Sequence, residues 1–132
     1  MAQGSYKYAA FTDKIIDCAV EVHKILGYGF PEEIYHRAFA KELFLQDLLF
    51  NREFEMPIYY KEELIGTRRV DYLIESVVTV ELKAIAKLEE VHLAQAMNYL
   101  EAFRLEVGLL INFGAKSLEV KRLMNHKLTV KR

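Results

Sequence analysis

The sequence predicts an α/β fold in which a mixed sheet is flanked by helices, and three observations predict it. The N-terminal part repeats its apolar residues at helical spacing, and the segment from Glu53 to Ile85 is extended and rich in β-branched residues. A further helical stretch is followed by the apolar run "VGLLINF" from Val107. The order is helix, helix, three strands, helix, strand and a short final strand, with no internal repeat and no linker-like segment. At 132 residues the chain fits one domain, 1–132.

Thr12 to Leu26 forms the first helix. Ile15, Ile16, Ala19, Val22, Ile25 and Leu26 recur at helical spacing, Thr12 or Asp13 caps the start, and Gly27 ends it. After "GYGF", Pro31 suits the first turn of a second helix, which Ile34, Tyr35, Ala38, Phe39 and Leu43 carry to about Asp47. Glu32 and Glu33 lie at its positive end. From Glu53 the segments "EFEMPIYY", "LIGTRRVDYLIE" and "VVTVELKAI" read as three antiparallel strands in a meander, with turns at "KEE" and near Glu75 and Ser76. Leu88 to Arg104 is helical, with Leu93, Ala96, Met97, Leu100 and Phe103 on its apolar side. Val107 begins a buried strand, and a last strand is expected from Leu118 to Leu123.

Apolar residues make up 52% and charged residues 28%, the balance of a globular chain. The 18 Lys and Arg against 19 Asp and Glu give a net charge of -1, which argues against a strongly cationic nucleic-acid coat and leaves room for a local basic cleft. There is no run of about 18 apolar residues to span a membrane, and "MAQGSYKYAAFTDK" has no apolar signal core after a basic start. A cytoplasmic protein with no membrane association is expected. Cys18 has no second cysteine to pair with and reads as a buried thiol on the first helix. The stretch "LFLQDLLF", Leu43 to Phe50, is more apolar than a solvated helix end needs and is compatible with a homodimer.

The chemistry is concentrated in "RVDYLIESVVTVELKAI", Arg69 to Ile85, an apolar run interrupted by Asp71, Glu81 and Lys83. A turn centred near Ser76 places residues whose numbers sum to about 152 opposite each other, so Asp71 faces Glu81 with Cβ atoms about 5 Å apart. Lys83, two residues from Glu81, shares its face. Paired carboxylates in a sheet are costly unless a cation joins them, and a site of carboxylates, a backbone carbonyl and waters suits Mg²⁺ or Mn²⁺. The plain alternative is an exposed ion pair of Asp71 with Lys83 or Arg69, worth less than about 1 kcal/mol. On the helix from Leu88, His92, Gln95 and Tyr99 fall within about a 60° arc beside the apolar stripe, where ordinary boundary chemistry is the competing explanation. Glu32 has its own plain role in complementing the helix dipole.

"GFPEEIY", Gly29 to Tyr35, has the spacing Gly-x-x-Glu-x-x-Tyr and resembles the motif of the bacterial GxxExxY proteins. "VELKA", "HLAQAMNYL" and "LLINFG" are similar to that family's later blocks, in order, so the likeness covers about Ile16 to Asn125. Asp71 followed by "ELK", then Gln95-x-x-x-Tyr99 on a helix, resembles the PD-(D/E)xK nuclease superfamily, including its branch with a Gln-x-x-x-Tyr helix. Val70 stands where that superfamily's nominal motif has proline.

The resemblance implies a restriction-endonuclease-like core in the order αβββαβ and a Mg²⁺- or Mn²⁺-dependent nuclease acting on nucleic acid, DNA foremost. It implies Asp71, Glu81 and the Leu82 carbonyl as metal ligands, Lys83 as the catalytic lysine, and Glu32 as the carboxylate of the first helix motif. Gln95 and Tyr99 are then helix residues near the scissile phosphate. His92 and Arg69 join Tyr99 as candidate substrate contacts, since basic and polar side chains position a polyanion without reading its sequence. The rival expectation is a nuclease fold used as a nucleic-acid- or protein-binding module without turnover.

Overall fold

The computed structural model describes residues 8–127. The elements are α1 (Ala9–Leu26), α2 (Glu32–Leu45), β1 (Phe50–Tyr60), β2 (Glu63–Ile74), β3 (Val78–Lys83), α3 (Glu90–Phe103), β4 (Val107–Asn112) and β5 (Glu119–Met124). They form one five-stranded sheet in the order β1-β2-β3-β4-β5. β1, β2 and β3 make the expected antiparallel meander, β3 and β4 run parallel across α3, and β5 returns antiparallel to β4. A parallel pair needs a long crossover, and α3 supplies it. Among the described residues no helix is long and apolar enough to cross a membrane.

Three boundaries depart from the sequence pattern for local reasons. α1 starts at Ala9, and Thr12 does not cap it: the Thr12 hydroxyl donates back to the Ala9 carbonyl and receives the Arg122 guanidinium from β5. Pro31 precedes α2 in an extended conformation, where its fixed φ of -63 suits the residue before the first turn. β1 begins at Phe50, earlier than Glu53, because Phe50 pairs with Ile74 and so completes the ladder along the end of β2.

The two faces of the sheet carry separate cores. α1 and α2 bring Ile15, Val22, Phe39 and Leu43 onto Tyr72, Val80, Leu82, Leu109 and Ile111, with Cys18 buried among them. Burial pushes the Cys18 thiol up to about 11, so it is inert at neutral pH. α3 covers the opposite face with Ala96 and Leu100 against Leu110 and Leu123. Gly108 permits that approach, since a Cβ there would lie 3.0 Å from a Leu100 methyl. Of the apolar stretch from Leu43 to Phe50, Leu43 and Leu48 are buried, while Phe44, Leu45 and Leu49 are exposed.

Two hydrogen-bonded locks set the ends of the elements that matter for function. Gly29 turns the α1–α2 link with φ 113, and Tyr35, stacked on Phe113 with ring centroids 4.9 Å apart, reaches back to donate to the Gly27 carbonyl at 2.6 Å. The Gly-x-x-Glu-x-x-Tyr spacing therefore fixes where α2 begins, and with it the position of Glu32. At the other end of the site, fully buried Asn112 accepts from the Ile85 and Gly114 amides and donates to the Ile85 carbonyl and to Glu119. Glu119 also accepts from the Leu88 amide. The segment between Lys83 and α3 is thus tied to β4 and β5. Gly114 is part of this lock, since a Cβ there would collide with the Ile85 backbone.

Asn112→Ala strands buried backbone groups and should lower the unfolding free energy by about 3 kcal/mol. Urea unfolding with an unchanged denaturant slope is the check, and a loss under about 1 kcal/mol would show that the loop is held by other contacts.

Candidate functional site

The centre of the molecule is a fork in the sheet. β2 and β3 pair from Ile74↔Val78 to Tyr72↔Val80, and there side chains take over from the backbone ladder. The Asp71 amide donates to Glu81 Oε2 at 3.0 Å, and the Leu82 amide donates to Asp71 Oδ2 at 2.8 Å. On the other side of β2 the ladder to β1 runs through Arg52↔Tyr72 and Phe54↔Val70 but omits Glu53 and Asp71, and Glu53 adopts φ 51. A left-handed backbone at a non-glycine residue costs free energy and persists where neighbours hold it. Each carboxylate is therefore fixed by an amide of the opposite strand.

Burial dominates the electrostatics. Glu81 is 7% exposed, and its carboxyl is pushed up to about 8, first by burial and then by the adjacent Asp71 charge. The Asp71 amide and Lys83 oppose that rise without cancelling it. Asp71 is likewise raised, mainly by burial, against the Leu82 amide and the charges of His36 and Lys83. Glu32 moves the other way, held low first by its hydrogen bond to His36. The Lys83 charge acts on all three carboxylates in the direction that favours ionisation.

α2 contributes a residue that the sequence reading did not single out. His36 follows Glu32 by four positions, one turn along the same helix face. Its Nε2 lies 3.1 Å from Glu32 Oε2 and 3.8 Å from Asp71 Oδ2, while Nδ1 lies 3.2 Å from the Tyr72 hydroxyl. That hydroxyl donates its hydrogen to the His36 carbonyl at 2.9 Å, so toward Nδ1 it can only accept. Nδ1 therefore carries a hydrogen, and Nε2 faces both carboxylates: with a hydrogen it donates to Glu32, and without one it offers a lone pair to a cation. The space between the ring and the two carboxylates can thus take either a proton or a cation. Ligand atoms of Glu32, His36 and Asp71 all lie within 4.8 Å of one another, so the donor set fits a divalent ion.

α3 meets the fork from the other face. Glu81, Lys83, His92, Gln95 and Tyr99 line one narrow cavity of about 20 Å³, room for a water and nothing larger. The His92 Nδ1 accepts the Glu89 amide at 2.9 Å in a capping box, leaving Nε2 as the donor of the neutral ring. The structure thus brings together Glu32 and Asp71 on the α2 side, and Glu81, Lys83, His92, Gln95 and Tyr99 on the α3 side. Arg69 is not drawn in. Its exposed guanidinium pairs with Glu55 at 3.2 Å and Glu53 at 3.8 Å, and Arg68 is the cation beside Tyr99, 5.3 Å from its ring centroid.

The sequence model of the PD-(D/E)XK nuclease superfamily matches residues 9–123, and with them every element of this fork. The chain belongs to the PD-(D/E)XK nuclease superfamily. Its mixed sheet and flanking helices have the restriction-endonuclease-like architecture of that superfamily. The crystal structure of the protein SSO0001 shares the fold with a TM-score of 0.56 at 17% identity, over 89% of this chain. The present chain spans 59% of the SSO0001 chain. No curated protein matches the sequence. Of the residues expected from the sequence to form the motif, Asp71 stands on β2 with Glu81 and Lys83 on β3, and Val70, where proline was the nominal residue, is buried and paired with Phe54.

The raised Glu81 carboxyl makes a signed prediction for the metal-free protein. The folded state holds this proton more tightly than the unfolded chain does, so the stabilisation is present below the ordinary value of 4.5 and is lost as pH rises through about 8. Stability should fall across that window, and Glu81→Gln should flatten the fall and melt higher at neutral pH. Parallel slopes for both proteins in thermal melts would show that the carboxyl is not proton-retaining.

Proposed function

We propose that the protein is a divalent-metal-dependent nuclease that hydrolyses phosphodiester bonds of nucleic acid, DNA foremost. The observation that carries this reading is the fork itself: a buried and a half-buried carboxylate, each held by an amide of the opposite strand, a histidine nitrogen facing the same point, and a lysine on the adjacent face. Within the superfamily, the Gly29-x-x-Glu32-x-x-Tyr35 spacing supports a place among the GxxExxY proteins.

Glu32, His36 and Asp71 would hold the ion, with Glu81 beside them. The N–H and C=O of one strand residue point the same way, so the Leu82 carbonyl shares the edge from which the Leu82 amide reaches Asp71 and is available as a further oxygen. When bound, a divalent cation supplies polarisation of the phosphoryl oxygen and acidification of the attacking water. The chain supplies the rest. Lys83 puts a positive charge where negative charge grows on the phosphoryl oxygens and orients the water in the narrow cavity. The Gln95 amide fixes that water from α3, His92 Nε2 donates to a phosphate oxygen, and Tyr99 closes the far wall. Arg69 would steer the backbone only after leaving its carboxylate partners.

The sequence pattern names Mg²⁺ before Mn²⁺, and His36 reverses that order. An imidazole beside carboxylates favours a transition ion over Mg²⁺, and Mn²⁺, the weakest binder of that series, is the one that shares the Mg²⁺ preference for oxygen ligands. Calorimetric titration should therefore give tighter binding of Mn²⁺ than of Mg²⁺, and His36→Ala should remove most of the difference. Equal preference in the variant and the wild type would take His36 out of the coordination sphere.

Incubation with labelled single- and double-stranded DNA and RNA, in Mn²⁺, Mg²⁺ or chelator, tests the activity. Cleavage is expected with either ion and not with chelator. In Lys83→Met it should fall roughly 10²- to 10³-fold, the scale of losing one electrostatic contact to the transition state, while Mn²⁺ binding persists. A stable complex in Mg²⁺ with no cut product from any substrate would make the chain a binding module.

A further inference from the structure

A cavity larger than the narrow one at the fork is also present. It lies beside it, between the twisted β1–β2 ribbon and the outer side of α3, with a volume of about 520 Å³ and a lining of Ile58, Arg68, Asn98, Tyr99, Glu101 and Ala102. Tyr99 lines both this cavity and the narrow one at Glu81 and Lys83, so the two share a wall one aromatic ring thick. We infer that this cavity receives one unpaired nucleobase adjacent to the scissile phosphate, and hence that the substrate is single-stranded or locally frayed nucleic acid. The inference rests on the reading of the fork as a phosphodiester site and goes beyond it in naming the strand state.

The chemistry of the lining selects a base over the other parts of a nucleotide. Ile58 and Ala102 give it apolar walls, and the Arg68 guanidinium, 5.3 Å from the Tyr99 ring centroid, offers a planar cationic surface for stacking. The Glu101 carboxylate, paired with Lys127 at 3.4 Å, repels a phosphate from the interior. The same carboxylate and the exposed Asn98 amide suit the edge of a base that carries an exocyclic amine, since a carboxylate only accepts and an amide both donates and accepts. The volume falls within the range of about 300–1,000 Å³ typical of small-ligand sites. A base stacked and paired in a duplex cannot enter such a cavity without leaving the helix, which costs least in a single strand or at a frayed end.

Binding is measured by fluorescence anisotropy in Ca²⁺ with a labelled mixed-sequence DNA strand, either single or annealed as a blunt duplex. The single strand should bind at least about tenfold more tightly than the duplex. Ala102→Phe fills the cavity from an exposed helix position and should weaken single-strand binding about tenfold, leaving duplex binding, Mn²⁺ affinity and melting temperature unchanged. Asn98→Phe, also at an exposed position, provides a second filled variant should the first fold poorly. Equal affinity for the two strand states, or wild-type affinity in a folded filled variant, overturns the inference. Loss of single-strand binding in the filled variants, with no cleavage of either form by the wild type in Mn²⁺, upholds the cavity and overturns the nuclease reading alone.

Discussion

The exchange of one backbone amide for one carboxylate on each side of the β2–β3 fork is the interaction on which the rest depends. A regular ladder continued past Tyr72↔Val80 would place Asp71 and Glu81 side by side with nothing between them, and both would be expelled or neutralised. In the observed arrangement the Asp71 and Leu82 amides, freed from the ladder, become donors to Glu81 and Asp71. The strands separate at this point, and α2 and α3 reach the same place from opposite faces of the sheet. A site built this way is open to both faces while its carboxylates stay fixed by backbone.

Much of the remaining structure serves to bring those two helices to the fork. Tyr35 holds the α1–α2 link through the Gly27 carbonyl and so sets the turn of α2 that carries Glu32 and His36. Asn112 and Glu119 hold the segment that leads from Lys83 into α3. Neither lock touches the fork carboxylates in a hydrogen bond, yet each sets the direction from which a functional side chain arrives. Gly29 and Tyr35 thus act through backbone geometry, and they set where Glu32 stands at the start of α2.

What was legible in the sequence was whatever depends on short-range periodicity. Hairpin register follows from a short turn, and Asp71 and Glu81 meet where counting from Ser76 puts them. Helical spacing likewise placed His92, Gln95 and Tyr99 on one side of α3, and they line one cavity with Lys83. The misses are long-range. Strand parity assigns Asp71 to the face of Lys83, but the opened ladder lets its carboxylate reach His36 on the opposite side. His36 stands one turn after Glu32, a signal present in the sequence, but its partner Tyr72 lies across the core and gives no local sign. Twist of the ribbon likewise decides that Arg68 and not Arg69 lies beside Tyr99, and side-chain alternation carries no measure of twist.

The central claim is that the fork is built around a cation. Anomalous diffraction from crystals soaked in Mn²⁺ tests it most directly. The account predicts a single strong peak among Glu32, His36 Nε2 and Asp71, displaced or lost in Asp71→Ala. A fork without a peak at saturating Mn²⁺, or a peak held only by residues outside it, would contradict the account.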